Sequence, residues 1–179
     1  MRSNKTPISY RAMKPGEEAI VADLVLKTFD EFVAPKYSQE GVAEFKKYIC
    51  ADALAHRLMA GNIVLLAEFG KKIIGVIEIR ENSHIALLFI EKSHQRKGIA
   101  KELIQKSIKI CKERKPDIQK ITVNSSPNAF TSYQKIGFKR VENEKLVNGI
   151  RFIPMELILN NNSSSQPINS ANQKGRGAD

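Results

Sequence analysis

The chain has 179 residues, 42% of them hydrophobic, and 29 Lys or Arg against 19 Asp or Glu give a formal net charge of +10. That length fits one domain with a substantial core, and that apolar content excludes wholesale disorder. No apolar run approaches the roughly 18–20 residues that a bilayer span requires, and the opening stretch MRSNKTPISYR lacks the apolar core of a signal peptide, so a cytoplasmic address without a membrane partner is expected.

In chain order, ISYR at 8–11 reads as a short strand. Pro15 and Gly16 interrupt it, and Glu17 and Glu18 suit a helix start, where the positive end of the dipole favours carboxylates. Ile20, Val21, Leu24, Val25 and Thr28 then follow helical spacing. APKY breaks that spacing. A second helix is predicted from Ser38 through Phe45, Tyr48, Ile49 and Leu54 to about Leu58. NIVLLAEFGKKIIGVIEIRENSHIALLFIE, residues 62–91, reads as three strands with turns at Gly70 and at ENS. The unbroken apolar runs at 64–66 and 86–90 predict strands covered on both faces.

The most regular helix runs from Lys97 to about Lys115. Ile99, Ala100, Leu103, Ile104, Ile108, Ile110 and Cys111 share one arc, and Lys101, Glu102, Gln105, Lys106, Lys109, Lys112 and Glu113 share the other. Pro116 ends it. IQKITVN is a strand, NAFTSYQKIG a short helix closed by Gly137, and FKRVE and IRFIPMELIL are two last strands around a turn at Asn148 and Gly149. The order β-αα-βββ-α-β-α-ββ predicts an α+β domain over residues 1–159, with a mixed, mostly antiparallel central sheet and helices on both faces. The polar, low-complexity tail from about Asn160 to Asp179 is expected to be disordered.

Cys50 and Cys111 lie far apart and form no C-x-x-C pair, so two free thiols in a reducing compartment are expected, with Cys111 as core filler. The charge is concentrated. Between Lys92 and Lys120 there are ten Lys or Arg and three acids. Such a segment suits a polyanionic partner, or is a lysine-rich solvated helix face. Within it, the connection into the long helix leaves main-chain N–H groups unpaired at the positive end of a helix dipole, which makes an anion site. Gly98 lets a ligand approach the backbone, Ala100 keeps the first turn small, and Arg96 and Lys97 add charge. A pyrophosphate is the expected guest; an ordinary strand-to-helix turn is the alternative. Neither G-x-x-x-x-G-K-[ST] nor G-x-G-x-x-G occurs there.

QRKGIA, residues 95–100, resembles the Q/R-x-x-G-x-G/A signature of the GNAT superfamily of acyl-CoA-dependent N-acetyltransferases, at its place between the fourth strand and the third long helix. VNSSPNAFTSYQKIGFK, residues 123–139, is similar to a second signature, in which a strand ending in Asn precedes a short helix with Ala and Tyr and then Gly-Phe. The element order agrees over residues 8–159. The resemblance implies the GNAT-like acyl-CoA N-acyltransferase fold, with acetyl-CoA as co-substrate across two splayed strands, ALLFIE and QKITVN. Leu88 and Ile90 would hold the pantetheine arm through the main chain, as an added strand would. Gln95 begins the signature, and the N–H groups of Arg96, Lys97, Gly98, Ile99 and Ala100 would meet the pyrophosphate. Asn128 would approach the distal part of the cofactor arm.

The implied reaction is direct attack of a neutral amine on the thioester carbonyl, with the Ile90 N–H as oxyanion donor. Tyr133 corresponds to the family's proton donor to the leaving thiolate; its phenol, with an ordinary pKa of about 10, is protonated at neutral pH. Its spacing to Ala129 and Ile136 also suits plain packing. Glu78, a carboxylate among Ile and Val, is a candidate base, or else a solvent-facing residue paired with Arg80. His84 is another candidate, alone or through water. His94 is read as a support of the phosphate loop and His56 as a surface residue. Three isolated histidines make no case for a metal. Phe29, Phe32 and Tyr37 would wall the acceptor pocket or plug the loop, and Glu31 would attract a cationic amine. Two other readings compete: a basic nucleic-acid-binding module, which sparse aromatics and missing recognition motifs disfavour, and a catalytically idle acyl-CoA sensor. The chain is compatible with a homodimer, and the amine acceptor is unidentified.

Overall fold

The computed structural model describes residues 7–159; the expectation of a disordered tail falls outside them. The order is β1 (Ile8–Ala12), α1 (Glu18–Phe32), α2 (Gln39–Ile49), α3 (Ala51–Met59), β2 (Ile63–Phe69), β3 (Lys72–Arg80), β4 (His84–Ile90), α4 (Ile99–Arg114), β5 (Lys120–Ser125), α5 (Phe130–Ile136), β6 (Lys139–Arg140), β7 (Lys145–Val147) and β8 (Ile150–Ile158). The sheet runs β1-β2-β3-β4-β5-β8-β6, with β7 also on β8. Only β4 and β5 pair in parallel; the other neighbours are antiparallel.

Strand alternation divides the apolar residues between two layers. Val64, Leu66, Val76 and Leu87 pack with Val21 and Val25 of α1, Ile49 of α2 and Leu54 of α3. Leu65, Ile74, Ile77 and Ile85 pack with Ile99, Leu103, Ile104 and Cys111 of α4. Each such side chain contributes about 1.5–3 kcal/mol on burial. The predicted two-faced coverage of the middle strands is therefore observed.

Two boundaries differ from those predicted, and β7 is a strand that the predicted order lacks. The second helix is two helices, because Cys50 adopts ψ 150 and breaks the ladder between α2 and α3. Apolar spacing continues across that break, so sequence periodicity does not reveal it. The FKRVE strand shrinks to the two residues of β6. Ser38 accepts a hydrogen bond from the Gly41 N–H and caps α2. The turn between β7 and β8 packs on that same helix start. A Cβ on Gly41 would collide with the Gly149 carbonyl oxygen, so the contact requires glycine.

The sheet opens at its centre. β4 and β5 share only the pairs His84↔Thr122 and Ile85↔Val123. The next residue of β4, Ala86, is an extra residue in the ladder with β3, which passes from Ile79↔Ile85 to Glu78↔Leu87. A bulge of this kind bends the strand that carries it. β5 meanwhile follows β8 along its whole length. The two strands thus part just beyond the bulge, toward the N-terminus of α4.

Candidate active site

The main chain of β4 defines one wall of the gap. The Glu91 N–H donates to the Ile74 carbonyl at 2.8 Å, on the β3 side. Amides alternate in direction along a strand, so those of Ile90 and Leu88 point to the open side. The Gln95 side chain donates to the Ile90 carbonyl at 3.0 Å. That bond occupies the carbonyl and leaves the Ile90 N–H available.

A short 3-10 turn, Lys92–His94, leads from β4 into the loop before α4. Arg96 has φ 58 and Gly98 has φ 82. Two left-handed residues so close in sequence turn successive N–H groups toward a shared concavity, the arrangement that binds anions. No N–H among residues 96–100 has a protein acceptor among the described residues. Arg96, Lys97 and Gly98 are exposed, and a Cβ on Gly98 would meet nothing within 4 Å. The space in front of this backbone is open. Lys97 donates to the Ser93 carbonyl at 2.8 Å. His94 lies 3.1 Å from Glu91, and Glu91 is held by Lys72, which lowers its pKa. His94 therefore braces the loop.

Tyr133, on α5, is nearly buried and packs edge-on against Phe138 at 5.2 Å. Burial raises its pKa above the ordinary phenol value. Its hydroxyl has no partner among the described residues, yet the one described polar side-chain atom both sealed and unpartnered is Ser107 Oγ. The Tyr133 hydroxyl thus keeps contact with accessible space. Asn128, in the β5–α5 connection, donates to the Phe32 carbonyl at the end of α1.

The opposite face of the sheet carries a different set. Ile85 and Val123 point into the α4 layer, so their neighbours His84 and Thr122 face the α1–α3 side. His84 Nδ1 lies 2.8 Å from Thr122 Oγ1. Burial and the nearby Arg80 charge push the imidazole down to about 4, against a smaller opposing effect of Glu81. The ring is neutral at physiological pH.

Glu78 departs from both expectations for it. It is fully buried, not solvent-facing, and its partner is Arg57, not Arg80. Arg57 Nε and Nη2 donate to its two oxygens at 2.7 and 3.1 Å, and Asn62 donates at 2.6 Å. With both oxygens engaged, the carboxylate ties α3 and the following turn to β3. Arg57 also donates to the Tyr48 carbonyl at 2.6 Å and stacks on the Tyr48 ring at 3.8 Å. Sequence spacing gave no sign of this network.

The loop aromatics divide as well. Phe29 is fully buried, stacked on Phe45 at 3.9 Å and edge-on to Tyr37 at 5.6 Å. Phe29 and Tyr37 are plugs under the loop. Phe32 is half-buried beneath Lys92, and Lys92 pairs with Glu31, so that carboxylate already has a cation. His56 is exposed. Burial raises the Cys111 thiol to about 11, consistent with core packing; Cys50 is exposed. An open groove of about 730 Å³ lies elsewhere, between α1 and the β2–β3 turn, floored by Ile20, Leu24, Phe69 and Ile73. None of the candidate site residues named from the sequence lines it. Among the described residues no group of three His, Cys, Asp or Glu could hold a metal ion, and no helix is long and apolar enough to cross a membrane.

A mixed sheet parted at one parallel pair, with a free N–H run at the helix start beyond it, is the architecture of an acyl-CoA-dependent acyltransferase domain. The sequence profile of the acetyltransferase (GNAT) domain matches residues 33–159, and the chain belongs to that family. Solved structures agree on the fold. A GCN5-related N-acetyltransferase from Rhodopseudomonas palustris superposes with a TM-score of 0.74 at 21% identity, covering 89% of this chain and 100% of that one. The PaiA N-acetyltransferase of Thermoplasma acidophilum, in complex with coenzyme A, gives 0.72 at 19% identity, covering 86% and 99%. A GNAT-family acetyltransferase from Staphylococcus aureus Mu50 gives 0.67 at 17%, covering 86% and 100%. No curated protein sequence matches the chain.

Proposed function

We propose that this protein moves the acetyl group of acetyl-CoA directly to a primary amine of a small-molecule or protein acceptor. The observation that carries the proposal is the run of unpartnered N–H groups at residues 96–100, beside the gap between β4 and β5. Such groups suit a diphosphate: they are fixed, unshielded and reinforced by Arg96, Lys97 and the α4 dipole. Leu88 and Ile90 offer strand-like hydrogen bonds to the amide-rich arm that joins the diphosphate to the thioester. Asn128 follows β5, the strand on the other side of that gap, and would approach the distal part of the arm, although its amide nitrogen is engaged by the Phe32 carbonyl.

In the chemical step a bond forms between the amine nitrogen and the acetyl carbon, and the carbon–sulfur bond breaks with its electron pair on sulfur. The Ile90 N–H stabilises charge developing on the carbonyl oxygen. Tyr133, kept protonated by burial, gives its proton to the departing sulfur. The ammonium form of the acceptor must first lose a proton. His84 is neutral, but it lies at the paired end of β4, far along the strand from Ile90, with Nδ1 on Thr122, so the proton is given to water in the open gap. Glu78 is left out, because Arg57 and Asn62 occupy its oxygens. A cytoplasmic setting goes with this reading, since it supplies acetyl-CoA and keeps both thiols reduced.

Thermal unfolding with and without acetyl-CoA, followed by thiol release with a panel of amines, tests the proposal. A ligand-dependent rise in Tm and amine-dependent thiol release are expected. A rise without release is the outcome for an idle acyl-CoA sensor. No rise, with salt-sensitive binding to DNA or RNA, is the outcome for a nucleic-acid module.

A further inference from the structure

One face of the molecule has no part in the chemistry above. The open groove of about 730 Å³ runs between the outer flank of α1 and the β2–β3 turn. α1 buries Val21, Val25, Thr28 and Phe29 in the fold. A second stripe of the same helix, Ile20, Asp23, Leu24 and Lys27, lines the groove at the i, i+3, i+4, i+7 spacing of one helix face. Ile20 on that stripe is 59% exposed, and Phe69, across the groove at the end of β2, is 41% exposed. Apolar side chains held open within a polar rim mark a contact surface.

Two observations say what covers it. The first is charge. The chain carries +10 overall, but four cations and four acids line this groove, a formal balance of zero. Arg11 is spent on Glu17 and Glu68, and Lys72 on Glu91. Asp23 and Lys27 have no ion pair among the described residues. A neutral face on a basic molecule does not draw a polyanion, and it lets a second copy approach without repulsion. The second is shape. An isologous contact requires a projection and its receptor on the same face. A two-fold axis near Leu24 lays the α1 helices of two copies antiparallel. Ile20 of each copy then enters the groove of the other, over Phe69 and Ile73. Asp23 of each copy comes within reach of Lys27 of the other.

We propose that this face is a self-complementary interface, and that the protein is a two-fold dimer joined through α1 and the β2–β3 turn. The second copy covers Phe69, whose ring lies 5.4 Å from that of His94. The dimer therefore supports, from outside, the loop that carries the unpartnered amides.

Sedimentation velocity of the full chain over a range of concentrations tests the proposal. The wild type should run as two chains. Ile20→Glu places a carboxylate on the apolar floor, twice per dimer, and should raise the dimer Kd about 100-fold. Asp23→Lys and Lys27→Asp set like charges against each other, and each should raise Kd about 10-fold. Combining the two exchanges in one chain should restore the wild-type value. Leu146→Glu alters an exposed apolar residue elsewhere, on β7, and should leave the dimer intact. All four positions are exposed, so the variants should keep their fold by circular dichroism. A monomer at every concentration leaves the groove to a different ligand and overturns the proposal. So does a dimer that Ile20→Glu leaves intact, a double exchange as weak as the single ones, or a dimer that Leu146→Glu dissolves.

Discussion

The two sides of the β4–β5 gap are built from different materials. The side proposed for the cofactor is main chain: strand amides of Leu88 and Ile90, and loop amides at residues 96–100 with no partner among the described residues. The sheet face toward α1–α3, proposed for the acceptor, is side chain: His84 on Thr122, and Glu78, Arg57, Asn62 and Tyr48 locked together. Backbone donors recognise a diphosphate through geometry that any sequence of the right shape can supply. Side-chain networks recognise one acceptor, and they depend on residues drawn from several elements. Substitutions on the two sides should therefore fail in different ways.

The largest effect is expected from Arg57→Ala. It leaves the Glu78 carboxylate buried and unpaired, which costs about 3–5 kcal/mol. Urea unfolding should register that loss, while the fraction that remains folded keeps its affinity for coenzyme A. An equal loss of affinity would mean that the two sides are one unit. Gly98→Glu should act in the opposite sense. The left-handed backbone adds only about 1–2 kcal/mol of strain, but the new carboxylate enters the space in front of the free amides. Affinity for coenzyme A should fall by about 100-fold, the cost of losing charge-assisted bonds. Unchanged affinity would place the diphosphate elsewhere.

Smaller effects sharpen the division within the chemical step. A thiolate is already a tolerable leaving group, so Tyr133→Phe should lower kcat by only about 10–100-fold, at or below the low end of general-acid effects. The Kd for acetyl-CoA should not move. Unchanged kcat would reduce Tyr133 to a packing residue. For His84 the pKa falls from 6.5 in the unfolded chain to about 4 in the fold. The unfolded state then binds more protons between those values, and stability decreases as pH drops through that window. His84→Gln should flatten that slope in thermal unfolding between pH 6.5 and 4. Arg80→Ala should narrow the window from its acid end, because removing the neighbouring positive charge raises the folded-state value.

Much of the fold around the proposed cofactor side was legible in the sequence because its determinants are local. The amphipathic period of α4, the Gly98 position and the break at Pro116 are read from consecutive residues. So is the order of strands around them. The acceptor side was not legible, because its partners are brought together by the fold. Glu78 meets Arg57 from 21 residues away and Asn62 from 16, and the carboxylate that looked like a free base is one end of a buried pair. Asn128 meets Phe32 across 96 residues. Phe29 and Tyr37 look like pocket walls in a loop-flanking sequence, but they stack inward because α2 supplies Phe45 beneath them. The split between α2 and α3 leaves no mark in the apolar period.

The most direct measurement of the central claim is amide NMR of the protein titrated with coenzyme A and, separately, with pantetheine, which lacks the diphosphate. The N–H resonances of residues 96–100 should shift strongly with coenzyme A and hardly with pantetheine, while those of Leu88 and Ile90 respond to both. Saturable binding of coenzyme A with the 96–100 amides unmoved would contradict that claim.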